Sequence, residues 1–416
     1  MEQVATSAAP HEPTTKATRA MVALLSAEVI STTGSEITAI ALPWFVLVTT
    51  GSPTRMGTVL AAGFLGMALL GIPSGRLATA LGPRRTMLLA DATCGAAIAA
   101  IPALYWTGSL SFPVIVAAAF VVGGFFPAYG ASQSLLLASL TGHDETRLVR
   151  AGGLLGAFNE TASFVGPAVG GVLVALLGAA SVLLIDTGSY LVAFGLVAAL
   201  VPPQRRAASA PTDRSVRAGL RYIRRNRRLV RTLAGLALVE LAFTAMIATL
   251  PVLTRERFHA GAGLAGWLLA SYGAGSVVGG LLSSRARSVD DRVAMLAIGG
   301  IAVSTWPLLA PLPSYGVALA VAANGVFSGL YFPRFFASVT LRTPEPLRAR
   351  VRAAVTTAMS ATGPIGFVGA GLLLEHAASV TAAYALVAAS ATAGAAIVVA
   401  ASAAPEQPPE GAPEGA

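Results

Sequence analysis

Apolar residues run along this chain in stretches of about 20, the length a helix needs to cross a bilayer. Twelve are read, at roughly 20–49, 56–80, 86–106, 112–140, 150–177, 180–202, 229–254, 263–284, 293–311, 314–341, 351–374 and 379–402. The first, fourth and tenth are long enough to tilt or protrude. Short polar breaks, rich in glycine, proline and arginine, separate them.

The breaks also orient the stretches. With the N-terminus inside and the loops numbered alternately, the basic residues fall inside, from Lys16 and Arg19 through Arg76, Arg84, Arg85, Arg147 and Arg150 to Arg342, Arg348, Arg350 and Arg352. Of 28 Lys and Arg residues, the exceptions are Arg55, Arg255 and Arg257 in outside loops and Arg334 within the tenth stretch. Cytoplasmic loops carry such an excess of Lys and Arg. A missed or invented helix would scramble the alternation downstream, so the pattern predicts twelve spans with both termini in the cytoplasm.

The longest inside loop lies in the middle, and the spans on either side of it echo one another. Ala41-Leu42-Pro43 recurs as Thr249-Leu250-Pro251, Gly166-Pro167 as Gly363-Pro364, and Arg85-Thr86-Met87-Leu88 as Arg292-Val293-Ala294-Met295-Leu296. Repeats of this kind build secondary transporters, with the substrate site between them. The expected fold is an all-α membrane protein of twelve transmembrane helices in two pseudo-symmetric six-helix bundles. Its expected domains are a cytoplasmic tail (1–19), an N-terminal bundle (20–202), a basic linker (203–228), a C-terminal bundle (229–402) and a disordered tail (403–416). In the linker, Leu220 and Ile223 share a face among arginines, a pattern of either an interfacial helix or a solvated charged segment.

Composition narrows the class. The chain is 55% hydrophobic and 11% charged, with a mean hydropathy of +0.72, whereas soluble domains carry about 25% charged residues. Residues 1–19 lead directly into a long apolar span, so no cleaved signal peptide is expected. The net charge of +9 is explained by orientation and anionic lipid, without nucleic acid. The single cysteine, Cys94, excludes an intrachain disulfide, and the four histidines (His11, His143, His259, His376) lie apart in tails and loops, so no metal site is expected. Lys16 is the only lysine, and a Walker A loop needs Gly-Lys-Ser/Thr. ATP and other cofactors are therefore not expected. The spans contain no Ser/His/Asp or Cys/His constellation that would indicate an enzyme.

Two motifs resemble the major facilitator superfamily. Gly166-Pro167-Ala168-Val169-Gly170-Gly171 looks like the antiporter motif of its drug:proton exporters, with Gly153 at that pattern's first glycine and Ala162 where it has another. Gly75 to Arg85 resembles the family's loop between spans two and three. Gly75, Gly82, Arg84 and Arg85 are kept, Thr79 replaces its aspartate and Pro83 an arginine. Asp91 is the candidate to supply the missing acid of that charge latch. Asp186-Thr187-Gly188-Ser189-Tyr190 and the segment Gly219–Asn226 are similar to the macrolide-efflux and enterobactin-exporter branch. The resemblance implies a monomeric, multi-pass protein of the cell membrane that exports small, mostly apolar compounds against proton entry.

Ionisable groups inside the spans are the candidate chemistry, because each costs roughly 2.5–3.5 kcal/mol on insertion scales. Glu28, Glu36, Glu160, Asp186 and Glu240 are the candidate proton-coupling or substrate acids. Low dielectric favours the protonated carboxyl, so such an acid takes a proton in a closed site and releases it to water. Each also has a plainer reading as a polar contact between helices. For Asp91 that reading is pairing with the loop arginines, and for Asp186 it is bonding to a neighbouring helix. Glu28 and Glu36 are separated by about 12 Å along one helix and about 80° around it, and are expected to face one central cavity at different depths. Asn159, Gln133, Asn324, Arg334, Trp44 and Phe158 are candidate cavity residues. Arg334 either pairs with an acid across the halves or snorkels to the cytoplasmic face. Gly166 and Gly170 form a small-residue surface for close helix packing, and Pro167 permits a kink.

The sequence predicts a proton-driven exporter working by alternating access. Alternatives are an uptake symporter or facilitator on the same fold, a siderophore exporter and, least favoured, a non-transporting receptor.

Overall fold

The computed structural model describes residues 15–141, 145–203, 221–285, 291–377 and 379–403. Twelve helical spans among them are long and apolar enough to cross a membrane. They are α1 (Thr15–Thr50), α2 (Pro53–Leu81), α3 (Pro83–Trp106), α4 (Phe112–Leu140), α5 (Glu145–Leu177) and α6 (Ala179–Leu200) in the first half. The second half has α7 (Arg227–Glu256), α8 (Ala262–Ser284), α9 (Asp291–Val303), α10 (Ser314–Arg342), the paired α11 (Arg348–Ser360) and α12 (Gly363–His376), and α13 (Val380–Ala403). The expected stretches match these helices closely, with two exceptions.

The ninth span stops as an α-helix at Val303 and finishes in a 3₁₀ turn, Trp306–Leu309. The eleventh breaks at Ala361–Thr362, where Pro364 has no N–H to return to Ser360. In α5 the matching Pro167 is carried inside an unbroken helix. The α2–α3 turn is made by Gly82 at φ +85°, a conformation open to glycine, and Pro83 then starts α3.

Helix pairing repeats between the halves. In the first, α1 packs on α5 and α6, α2 on α4, and α3 on α4 and α6. In the second, α7 packs on α12 and α13, α8 on α10, and α9 on α10 and α13. The closest pairs are lined by glycine in both halves. A Cβ on Gly66 or Gly123 would strike the backbone of Phe120 or Gly63, and one on Gly275 or Gly279 that of Ala322 or Val326. Without side chains in the way, the backbones approach and dispersion contacts hold them.

The halves meet along two seams related by the same symmetry, α5 on α8 and α2 on α12. The named contacts across them run from mid-depth to the end away from the termini. At that far end, beside the seams and between α1 and α7, Arg255 Nη1 donates to the Leu47 carbonyl at 2.7 Å. Glu375 Oε2 accepts from Ser52 Oγ at 2.6 Å and from the Thr54 N–H at 3.0 Å. Deeper, the Phe64 and Phe367 rings meet edge to face at 5.0 Å.

Parts of the expected domain plan lie outside the described residues, namely the start of the N-terminal tail, most of the linker with Leu220, and the C-terminal tail beyond residue 403. The described end of the linker is a short helical turn. Its Ile223 is buried, and Tyr222 donates to the Arg342 carbonyl at 3.1 Å. Gly75 lies within α2, and nothing is described of the Arg76 and Thr79 side chains.

Candidate functional site

The acids separate into two groups, one between the halves and one enclosed in the first half. The group between the halves is built by α5. Residues 160, 163, 166 and 170 follow one helical face, and that face packs on α1. Ser163 Oγ donates to Glu36 Oε1 at 2.7 Å. A Cβ on Gly166 would overlap the Glu36 side chain, and one on Gly170 would meet the Ile37 backbone. Glu160 is exposed and is an electrostatic neighbour both of Glu36 and of Tyr272 on α8. Tyr272 also neighbours Glu240 on α7. Its ring lies 4.9 Å from that of Phe243. Glu240, Tyr272, Phe243, Asn324, Ser328 and Phe332 line one cavity of about 80 Å³. Three of the candidate acids, Glu36, Glu160 and Glu240, thus surround the junction of the halves.

The glycine motif ties this group to the second half. Gly171 abuts the backbone of Ala262, Gly263 and Gly266, and Gly266 abuts the Pro167 carbonyl. One face of α5 therefore touches the acid-bearing helix α1 while its neighbouring face touches α8. Gly153, near the other end, has open space around it.

The second group is enclosed. Glu28 and Asp91 are 7% and 1% exposed, and Asp186 is 1% exposed. Asp186 is satisfied, because its Oδ2 accepts from Thr38 Oγ1 at 2.6 Å and its Oδ1 from Ser189 Oγ at 3.1 Å. It fastens α6 to α1. Beside it Tyr190 and Ser35 share a hydrogen bond of 3.2 Å. Glu28 Oε1 accepts from Thr32 Oγ1 at 3.2 Å, whereas Glu28 Oε2 and both Asp91 oxygens have no hydrogen-bond partner.

Two expectations are corrected by this geometry. Glu28 does not face α5 as Glu36 does. The turn of about 80° between them sends Glu36 to α5 and Glu28 into its own bundle, where Asp91, Tyr129 and Gln133 are its neighbours. Gln133 is with it there, away from the junction. Asp91 does not pair with the loop arginines either. Arg84 Nη2 instead donates to the Ala198 carbonyl at 2.6 Å, and Arg85 is exposed. Asp91 points inward because the buried face of α3 carries it, with Met87, Ala90 and Cys94.

The remaining candidates are dispersed. Asn324 is buried and donates to the Ile301 carbonyl at 3.1 Å and to Ser304 Oγ at 3.0 Å. Arg334 is 6% exposed, and its Nη1 donates to Ser283 Oγ and the Leu330 carbonyl, both at 2.8 Å. Neither an acid across the halves nor the surface holds it. It lines a second cavity of about 100 Å³ within the second half, with Tyr222, Arg228 and Tyr331. Trp44 is half-buried, Phe158 is 41% exposed and Asn159 is half-buried. Sequence reading missed Ser163 and Tyr272. Ser163 was legible as the residue one turn after Glu160 on the motif face, but Tyr272 is brought in only by the pairing of α5 with α8.

A twelve-helix membrane protein with two like bundles and a polar site at their junction is a transporter of the major facilitator fold. The nucleoside transporter NupG is a solved structure of this fold, with a TM-score of 0.73 at 12% identity over 92% of this chain and 98% of that one. The chain belongs to the transmembrane secretion effector family of that superfamily, whose pattern it matches over residues 8–410. It is similar to the multidrug efflux pump Tap of Mycobacterium tuberculosis, 28% identical over 374 residues, covering 85% of this chain and 87% of that protein. Tap of Mycolicibacterium fortuitum is 26% identical over 376 residues, covering 86% and 90%. This family is one of transporters, not a class of enzymes.

Proposed function

We propose that the protein is a proton-driven exporter of small, largely hydrophobic compounds, cationic or neutral, in a bacterial cell membrane. Its termini and linker lie on the cytoplasmic side, as the basic loops require, and it works as a monomer without ATP. The bond between Ser163 and Glu36, beside Glu160 and against the glycine face of α5, carries this reading. It joins a carboxyl able to bind a proton to the helix that also forms the seam between the halves.

The expected cycle has four steps. With the far end closed, the junction is reached from the cytoplasm, and an apolar substrate enters between aromatic surfaces such as Phe243 and Phe332. Its binding beside Glu36 and Glu160 favours the ionised carboxylates and expels a proton. The halves then rock about the α5–α8 and α2–α12 seams and open the far end. Protons entering there neutralise the acids, release the substrate and allow the return. The differential affinity of substrate for the ionised form is what couples the two fluxes. The relatedness to multidrug efflux pumps supports the direction and the substrate class.

The test is exchange in proteoliposomes with an imposed pH gradient. Glu36→Gln and Glu160→Gln are expected to lose substrate-induced proton release while keeping wild-type expression and counterflow. Undiminished proton release in both variants would remove the coupling role. Substrate accumulating in the direction of proton movement would turn the reading to an uptake symporter.

A further inference from the structure

The unpartnered polar atoms of the described residues concentrate in one place. Both Asp91 oxygens, Glu28 Oε2 and Ser132 Oγ are buried without a close hydrogen bond, and of their neighbours the Gln133 amide reaches only toward Glu28 and the Tyr129 hydroxyl only toward Ser31. They lie on α1, α3 and α4 inside the first bundle. Tyr129 is an electrostatic neighbour of both acids and lies beside Ser31, and Gln133 lies beside Glu28. Ser132 is completely buried and Asp91 is 1% exposed. Among the described residues no basic group is an electrostatic neighbour of either carboxyl. Of the two arginines that begin α3, Arg85 is exposed and Arg84 is committed through Nη2 to the Ala198 carbonyl.

The sister half shows that acids are not needed to build these positions. Carrying the spacing of Pro43 to Pro251 along α1 and α7 sets Leu236 opposite Glu28. Carrying that of Arg85 to Arg292 along α3 and α9 sets Ile298 opposite Asp91. Along α6 and α13 the buried series Val182, Leu183 and Val197 matches Ala383, Tyr384 and Val398, and so sets Val387 opposite Asp186. Leu236, Ile298 and Val387 are each 0% exposed. Aliphatic side chains thus fill the same places in the same architecture. Burying an ionised carboxylate without a partner costs far more than burying an aliphatic chain, so the pair must be neutralised when it is enclosed.

We propose that Glu28 and Asp91, with Tyr129, Ser132 and Gln133, form a closed site for one monovalent cation, a proton or sodium, within the first bundle and apart from the junction acids. A proton would neutralise one of the two carboxyls and so remove their mutual repulsion. Sodium would take their free oxygens and the hydroxyls of Tyr129 and Ser132. The groups facing the pair are Thr32 on α1, Cys94 on α3, Tyr129 and Gln133 on α4 and Tyr190 on α6, with Asp186 beyond Cys94 and Tyr190. Asp186 is already held by Thr38 and Ser189, which leaves Glu28 and Asp91 as the exchanging groups.

The test uses the full-length protein at rest, with no drug and no gradient, so it is independent of whether drug and proton exchange. The infrared carbonyl band of a protonated buried carboxyl and equilibrium binding of radioactive sodium are measured in wild type, Asp91→Asn and Glu28→Gln. A carboxyl band in wild type that loses intensity in Asp91→Asn, with no sodium bound, assigns the proton. Bound sodium that falls at least about tenfold in affinity in Asp91→Asn, a loss of 1.4 kcal/mol or more, assigns sodium. If Asp91→Asn does not elute as a folded monomer, Glu28→Gln decides on the same readouts. Band and sodium binding both unchanged by the substitutions would overturn the proposal.

Discussion

The two halves of this transporter use one plan of helix pairing and fill it with different chemistry. The first half buries three carboxyls where the second buries Leu236, Ile298 and Val387. The difference extends to the junction. Glu36 in α1 corresponds, by the Pro43–Pro251 spacing, to Thr244 in α7. Each lies against a glycine of the fifth or eleventh span, Glu36 against Gly166 and Thr244 against Gly366. The place is the same, but the first half sets an acid there and the second a hydroxyl whose bond returns to the Glu240 carbonyl at 2.9 Å. Shape has been kept on both sides, and the fully buried carboxyls of the described residues are concentrated on one. A rocking mechanism needs like shapes but does not need like chemistry.

The sharpest way to break this comparison is to exchange the fillings. Ile298→Asp would place an unpartnered acid in a site lined for aliphatic packing. It is expected to destabilise the second half by about 3–5 kcal/mol, the range for an uncompensated buried charge, read as loss of folded monomer in detergent. The converse, Asp91→Ile, is expected to leave the thermal midpoint equal to wild type or higher, because apolar replacement of buried charge is often neutral or stabilising. A large fall in midpoint would mean that Asp91 has structural partners after all.

A smaller effect is expected where the backbones differ. Pro364→Ala restores an N–H that can reach Ser360 and is expected to join α11 and α12 into one helix, as α5 already is. Hydrogen exchange around Ala361 and Thr362 should then slow. Pro167→Ala should change exchange in α5 much less, since that helix is unbroken.

The smallest effect concerns the far-end clasp. Glu375→Gln weakens the bonds from Ser52 and Thr54 at an exposed site, where ion-assisted contacts are worth under about 1 kcal/mol. About a twofold rise in labelling of a cysteine placed at the half-buried Thr58 is expected. No rise would show that the glycine and aromatic contacts alone keep that end shut.

The fold is largely legible in the sequence. Twelve apolar stretches and the placement of arginine determine the spans, because the bilayer imposes length and the loops carry charge. The echo of Ala41-Leu42-Pro43 in Thr249-Leu250-Pro251 also foretold the symmetric pairing. The site was legible in part. Glu36 and Glu160 could be singled out by charge alone, and the structure brings them together. The direction of Glu28 could not be read, because helical spacing fixes the angle between two residues and not which neighbour each will meet. Asp91 was misread for a similar reason. Its nearness to Arg85 in sequence suggested an ion pair, but the two lie on different faces of α3. The break at Ala361 was hidden because Gly-Pro occurs in both the fifth and eleventh spans, and only the surroundings decide which one yields.

The contact of Gly171 with Gly263 and Gly266 has a mechanical meaning. Two helices usually interlock through side chains, and moving one along the other requires drawing each knob out of its hole. Here backbone lies on backbone across the seam, with nothing to draw out. Such a surface behaves as a plain bearing: it carries load at close range and resists rolling very little. The resistance to opening must then sit elsewhere, in the few bonds of the far-end clasp and in the meeting of the Phe64 and Phe367 rings.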